Sequence, residues 1–139
     1  MIKDTSTRHE RKRKRKVTQD KVEQVIKEKM PEIANSISTA AMSAHGEDIV
    51  VAPDVREQFP FSIECKQDER GFRRVYKAFE QAQTQAAALA SDLTILPIAV
   101  IQQENQRPLV TMDLEHWADF VTKAANTNKE SGNEYSTSC

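Results

Sequence analysis

The sequence predicts an α/β domain built on a mixed sheet, in the order helix, three strands, helix, two strands, helix. Three observations carry this. Apolar residues recur at helical spacing around 18–30, 72–91 and 114–121. Residues 59–66 alternate strictly between apolar and polar. Short β-branched runs bounded by Gly or Pro stand between these stretches.

Taken in order, Val22, Val25 and Ile26 recur at i, i+3 and i+4 and make one face of the first helix. Thr18 or Asp20 is placed to cap it, and Pro31 to stop it. Residues 1–17 lack apolar periodicity and are expected as a basic flexible arm, or else as a charged extension of that helix. In the next stretch Ala40, Ala41 and Met42 favour helix, whereas Ile37, Ser38 and Thr39 suit a strand; a strand over about 36–42 is the reading adopted. After the break at His45-Gly46, Asp48-Ile49-Val50-Val51-Ala52 is a second strand, ended by Pro53. The third, at 59–66, sets Phe59, Phe61, Ile63 and Cys65 on one face and Pro60, Ser62, Glu64 and Lys66 on the other. Gly71 precedes a helix over 72–91, whose stripe is Phe72, Val75, Tyr76, Phe79, Ala82, Ala86 and Leu89. Strands are expected at 97–101 and 109–112, with a turn between them. Asp113 reads as the N-cap of a last helix with Leu114, Trp117, Phe120 and Val121 turned to the core. Residues 125–139 are polar and read as a disordered tail, leaving 18–124 as the folded domain.

A chain of 139 residues, 38% hydrophobic, supports one core and is not disordered throughout. No run approaches the roughly 20 apolar residues of a membrane span, and the polar N-terminus is unlike a signal peptide. Cys65 and Cys139 are the only cysteines, so a reducing cytoplasm is expected, and His9, His45 and His116 lack zinc-ligand spacing. The net charge of −1 conceals a division. Residues 1–16 hold eight Lys or Arg against Asp4 and Glu10, so they carry +6 and the remainder −7. A basic arm on an acidic body suits a nucleic-acid partner.

If the strands at 48–52 and 59–66 pair antiparallel about a turn centred near Arg56, Asp48 stands opposite Glu64, about 5 Å away on the same face. Lys66 projects from that face too. Two carboxylates sharing one space repel unless a cation lies between them, and such oxygen ligands suit Mg²⁺ or Mn²⁺. A neighbouring ammonium would orient a metal-bound water and balance phosphate charge. Asp54, in the turn, would lie some 15–20 Å from Glu64 along the strand and is the poorer ligand.

These residues carry a resemblance. Gly46-Glu47-Asp48-Ile49, then Phe59-Pro60-Phe61-Ser62-Ile63-Glu64-Cys65-Lys66, then Tyr76-Lys77-Ala78-Phe79-Glu80-Gln81-Ala82 occur in that order. The chain resembles the PD-(D/E)XK nuclease superfamily, and within it small phage-type endonucleases or Holliday junction resolvases, over about residues 18–124. The resemblance implies a restriction-endonuclease-like core: helix, three-strand meander, helix, further strands and a C-terminal helix. It implies metal-dependent hydrolysis of DNA, branched DNA among the candidate substrates, with no membrane partner and a homodimer if junctions are cut. The location implied is cytoplasmic, in the host cell if the chain is phage-encoded. Asp48 and Glu64 would hold the metal, with the Cys65 backbone carbonyl as a further ligand, and Lys66 would handle the attacking water. Gln81 matches a position that often contacts the site, and Glu23 is the candidate acidic residue of the first helix, with Asp20 and Glu28 as rivals. The arm, through Arg11, Lys12, Arg13, Lys14, Arg15 and Lys16, and the cluster Arg70, Arg73, Arg74 and Lys77 would contact phosphates. Two other readings stay open: a non-catalytic nucleic-acid-binding module, and an adaptor without a nucleic-acid role.

Overall fold

The computed structural model describes residues 5–41, 46–89 and 94–133. Met42, His45 and Cys139 of the preceding section lie outside the described residues. Mixed α and β structure is present, but among the described residues the strands form two two-stranded antiparallel sheets rather than one mixed sheet. The chain divides into two compact units, residues 1–67 with 118–139, and residues 68–117.

The first unit begins with helix α1, Thr5–Lys29. The stretch expected as a flexible arm is helical from Thr5, the charged extension of the helix that the sequence also allowed. Lys and Arg are good helix formers, and oppositely charged side chains one turn apart support the run. Lys14 pairs with Glu10 at 3.5 Å and Lys16 with Asp20 at 3.2 Å. Neither Thr18 nor Asp20 is a cap, because both lie inside the helix. Gln19, Val25 and Ile26 are buried on one face, and Met30 follows them into the core. The helix ends before Pro31, as expected where a proline disfavours α conformation in the residue ahead of it.

A 3-10 turn, Pro31–Ser36, carries the chain past buried Ile33 into β1, Ile37–Thr39, which is shorter than the 36–42 expected. β1 pairs with β2, Ile49–Val51, through Ile37↔Val51, Ser38↔Val50 and Thr39↔Ile49. Ile37, Ile49 and Val51 are buried while Ser38 and Val50 are exposed, so a single apolar face meets α1. Gly46 enters this sheet at φ +114°, where a side chain would be strained.

Residues 59–66 keep the expected alternation but do not form a ladder. Phe59 and Cys65 are buried, and Pro60, Ser62, Glu64 and Lys66 are exposed. The pairing to β2 is one bridge, Ile49↔Ile63, with Asp48 N–H donating to the Ile63 carbonyl at 2.9 Å. The physical reason lies in where the backbone groups go. Pro60 has no N–H, the Phe61 carbonyl accepts from Arg56 Nη1 at 2.9 Å, and Cys65 N–H donates to the Asp48 side chain at 2.6 Å.

The last helix, α3 (Leu114–Asn133), belongs to the second unit before Ala118 and to the first from Ala118 onward. It extends into the stretch expected as a disordered tail. Within the first unit Ala118 is fully buried, Lys29 pairs with Asp119 at 3.0 Å, and Thr122 Oγ1 lies 3.4 Å from the Lys29 carbonyl. Phe120, expected in the core, is exposed, because small Ala118 occupies the inner position.

In the second unit, Arg70 and Gly71 N–H groups donate to Asp68 and lead into α2, Arg73–Ala88. A Cβ on Gly71 would meet the Asp68 carboxyl carbon at 3.0 Å, so a side chain there would push the exposed Asp68 carboxylate aside by a few tenths of an ångström. α2 buries no residue fully, and Phe72, Tyr76 and Leu89 of its expected stripe are exposed. β3, Ala99–Ile101, and β4, Leu109–Thr111, form a hairpin whose turn has Asn105 at φ 62°. Asp113 caps α3 as the sequence predicted, accepting from Glu115 N–H at 2.9 Å and His116 N–H at 3.1 Å.

One interaction across the turn of the first unit has a pH signature. The Arg56 guanidinium hydrogen-bonds Glu47 through both nitrogens while also holding Phe61, and it keeps the Glu47 carboxyl below its usual range against the opposing effect of burial. A carboxylate lowered on folding adds stability above its unfolded pKa, and that stability is lost as pH falls through the folded value. Glu47→Gln is therefore expected to cost about 1–2 kcal/mol at pH 7. Urea denaturation should show that deficit shrinking steadily below about pH 4.

Candidate functional site

Asp48 stands immediately before β2, and each of its backbone groups is tied to a different neighbour. Its carbonyl accepts from Ala40 N–H at 2.9 Å and its N–H donates to Ile63. Its side chain is only 9% exposed. A carboxylate buried to that degree needs donors, and it has two: Cys65 N–H at 2.6 Å to Oδ2, and Arg15 Nη2 at 3.3 Å to Oδ1. The Ile49↔Ile63 bridge sets the register in which Asp48 stands opposite Glu64.

Glu64 and Lys66 project from the exposed face of their segment, and Lys66 Nζ lies 2.9 Å from Glu64 Oε1. The same Glu64 oxygen is 3.7 Å from Arg15 Nη2. Asp48, Glu64 and Lys66, singled out from sequence, thus come together with a fourth residue, Arg15, whose nitrogen lies between the two carboxylates. The arrangement joins two acceptors and two cations from three parts of the chain: α1, the start of β2 and the 59–66 segment.

Arg15 was grouped in the sequence only with five neighbouring cations. The signal that singles it out is helical phase. Counting back from Ile26 by seven and eleven residues reaches Gln19 and Arg15, on the same face of α1. Gln19 is 2% exposed, and its Oε1 has no hydrogen-bond partner; Arg15 Nε is likewise buried without one. Arg8, Arg11, Lys12 and Arg13, by contrast, are exposed, with no acidic partner among the described residues.

The structure does not bring Glu23 into this group: its carboxylate is held by Lys27 at 2.6 Å. Glu23, its rivals Asp20 and Glu28, Gln24 and Lys27 line a shallow depression on α1 itself. Gln81, Arg70, Arg73, Arg74 and Lys77 are exposed residues of the second unit. Arg74 lines a groove of about 880 Å³ there with Arg107, Gln102, Gln103 and Gln106. Asp54 is exposed in the 3-10 turn Pro53–Val55.

Two carboxylates facing one cationic centre match the oxygen donor set of Mg²⁺ or Mn²⁺, which take one or two carboxylates and fill the rest with water or phosphate oxygens. Among the described residues no group of three His, Cys, Asp or Glu side chains could hold a metal ion, so a site here would rest on those two carboxylates and on backbone. The Cys65 thiol is not suited to the role. Burial pushes it up from its ordinary pKa, the charges of Asp48 and Glu64 add to this, and Arg15 only partly opposes them.

Comparison of the chain with family models, with curated proteins and with solved structures finds no match. Among the described residues no helix is long and apolar enough to cross a membrane.

Because the thiolate is the reactive form, Cys65 should resist alkylation in the folded chain. In a Cys139→Ser variant, iodoacetamide at pH 8 is expected to label Cys65 on the order of tenfold more slowly in buffer than in urea. Mass spectrometry over a time course gives both rates.

Proposed function

We propose that the chain is a divalent-metal-dependent DNA endonuclease of the PD-(D/E)XK type, cutting phosphodiester bonds by attack of water, with branched DNA such as Holliday junctions as its candidate substrate. The observation that supports this best is the meeting of Asp48 Oδ1 and Glu64 Oε1 on one cationic nitrogen, with Lys66 Nζ 2.9 Å from the same Glu64 oxygen. Two negative oxygens around one positive centre, with an ammonium beside them, are the side-chain requirements of this hydrolysis. The order and spacing of the three sequence blocks around these residues point the same way.

In this reading Asp48 and Glu64 hold Mg²⁺ or Mn²⁺, which supplies Lewis acidity and an acidified water when bound. Cys65 N–H keeps one Asp48 oxygen fixed, so that the other is presented without rotation of the carboxylate. Lys66, 64% exposed, is free to orient the attacking water and to balance charge on the phosphate. The exposed cations of α1 bind the phosphates of the flanking strand by releasing their counterions. Gln81 and the cations of α2 are further candidate contacts, and a two-fold dimer would match the symmetry of a junction. The cytoplasm is the proposed location.

Purified protein should cut DNA in Mg²⁺ and not in chelator. Glu64→Ala should abolish cutting, a loss on the order of 100-fold or more in rate, while leaving DNA affinity within a few-fold of the parent. Gel assays on a four-way junction and on linear duplex, paired with fluorescence anisotropy, measure both. Undiminished binding without cleavage in Mg²⁺ or Mn²⁺ on either substrate would favour the non-catalytic binding module instead.

A further inference from the structure

We infer that Arg15 and a divalent cation compete for Asp48 and Glu64, and that Arg15, once displaced, becomes a ligand for the nucleic-acid phosphate, so that metal and DNA each strengthen the binding of the other. This rests on the reading of Asp48 and Glu64 as a metal site and adds its regulation.

Arg15 Nη2 lies 3.3 Å from Asp48 Oδ1 and 3.7 Å from Glu64 Oε1. A Mg²⁺-sized ion binds its oxygen ligands at about 2.0–2.1 Å, so an ion shared by those two oxygens needs the space that the guanidinium fills. Charge forbids sharing as well, since a guanidinium and a dication this close repel strongly in a partly buried setting. One must leave.

Arg15 is able to leave. Its side chain is 39% exposed, and it stands at the point where α1 passes from an exposed cationic stretch into the buried face. Its present position is also incompletely satisfied. Arg15 Nε is a buried donor without an acceptor, and Gln19 Oε1, one turn along the same face, is a buried acceptor without a donor. The planar guanidinium fork matches phosphate oxygens, and the neighbouring exposed cations Arg11 and Lys12 would bring a phosphate backbone to this end of the helix. A metal ion entering alone must displace Arg15 into water, whereas one entering with DNA displaces it onto a phosphate. Linkage then makes the effect reciprocal.

Mn²⁺ alone is the first probe, titrated against the full chain and followed by the electron paramagnetic resonance of the free ion. Arg15→Ala should bind Mn²⁺ at least about fivefold more tightly than the parent. DNA affinity, measured by anisotropy with Ca²⁺ and with chelator, should rise on adding metal in the parent, and that rise should be several-fold smaller in Arg15→Ala, where only direct metal–phosphate attraction remains. Arg11→Ala removes an equal charge from the same helix, and should weaken DNA binding without changing Mn²⁺ affinity or the metal-dependent gain. Arg15→Gln, which keeps a polar side chain of helical propensity, repeats the test should the alanine variant fold poorly. Equal or weaker Mn²⁺ binding by both Arg15 variants, with the parent binding Mn²⁺, overturns the competition and leaves the nuclease reading standing. Absence of Mn²⁺ binding in the parent and in both variants overturns the competition and the metal site together.

Discussion

A carboxylate nine-tenths buried has to be held by donors, and the first unit is arranged around that need at Asp48. The Asp48 backbone joins β1 on one side and the Ile63 strand segment on the other. Its side chain takes the N–H of Cys65, which fixes where Glu64 and Lys66 emerge, and the guanidinium of Arg15, which ties α1 to the same spot. The register of the Glu64 segment and the grouping of charges thus follow from satisfying one buried acid, whereas α1 docks through its buried apolar face on β1 and β2. An apolar residue at 48 would leave the Cys65 amide and the guanidinium without that acceptor, although β1 and β2 would still pair through Ile37, Ile49 and Val51.

The same economy explains why residues 59–66 are extended yet hardly part of a ladder. Within them the Phe61 carbonyl is taken by the Arg56 side chain, in the turn, and the Cys65 N–H by the Asp48 side chain, ahead of it. A segment held in this way keeps its side-chain alternation while leaving Glu64 and Lys66 exposed to a ligand. Arg56 also gathers Glu47, the neighbour of Asp48 in sequence, so two adjacent acids are assigned to different cations. Glu47 serves the turn, and Asp48 serves the candidate site.

Alternation and turn position made the core of this site legible from sequence. A turn centred near Arg56 places Ile49 against Ile63 and Asp48 opposite Glu64, and the bridge has that register. The Asp113 cap was legible for the same local reason, a short acceptor placed just ahead of free N–H groups. What sequence did not convey was long-range pairing within a charge run. Six consecutive cations at 11–16 look alike, and only continuing the helical phase back from Ile26 separates Arg15 from the rest. Composition makes the polar tail unstructured and the basic arm either flexible or a charged extension of its helix, because both have little to bury. Their helices grow instead from adjoining helical segments, where each added residue gains a backbone hydrogen bond without a new nucleus. Phe120 shows the converse failure: a periodic stripe gives the spacing of a face, but packing by Ala118 decides which face is inward.

At the centre stands the proposed cation site of Asp48 and Glu64, in which Arg15 and a metal ion are alternatives. A crystal grown with Mn²⁺ and examined by anomalous diffraction tests it directly. An anomalous peak is expected between Asp48 and Glu64, with the Arg15 guanidinium turned away from both carboxylates. Arg15 remaining between the two carboxylates with no anomalous peak there, in crystals saturated with Mn²⁺, would contradict it.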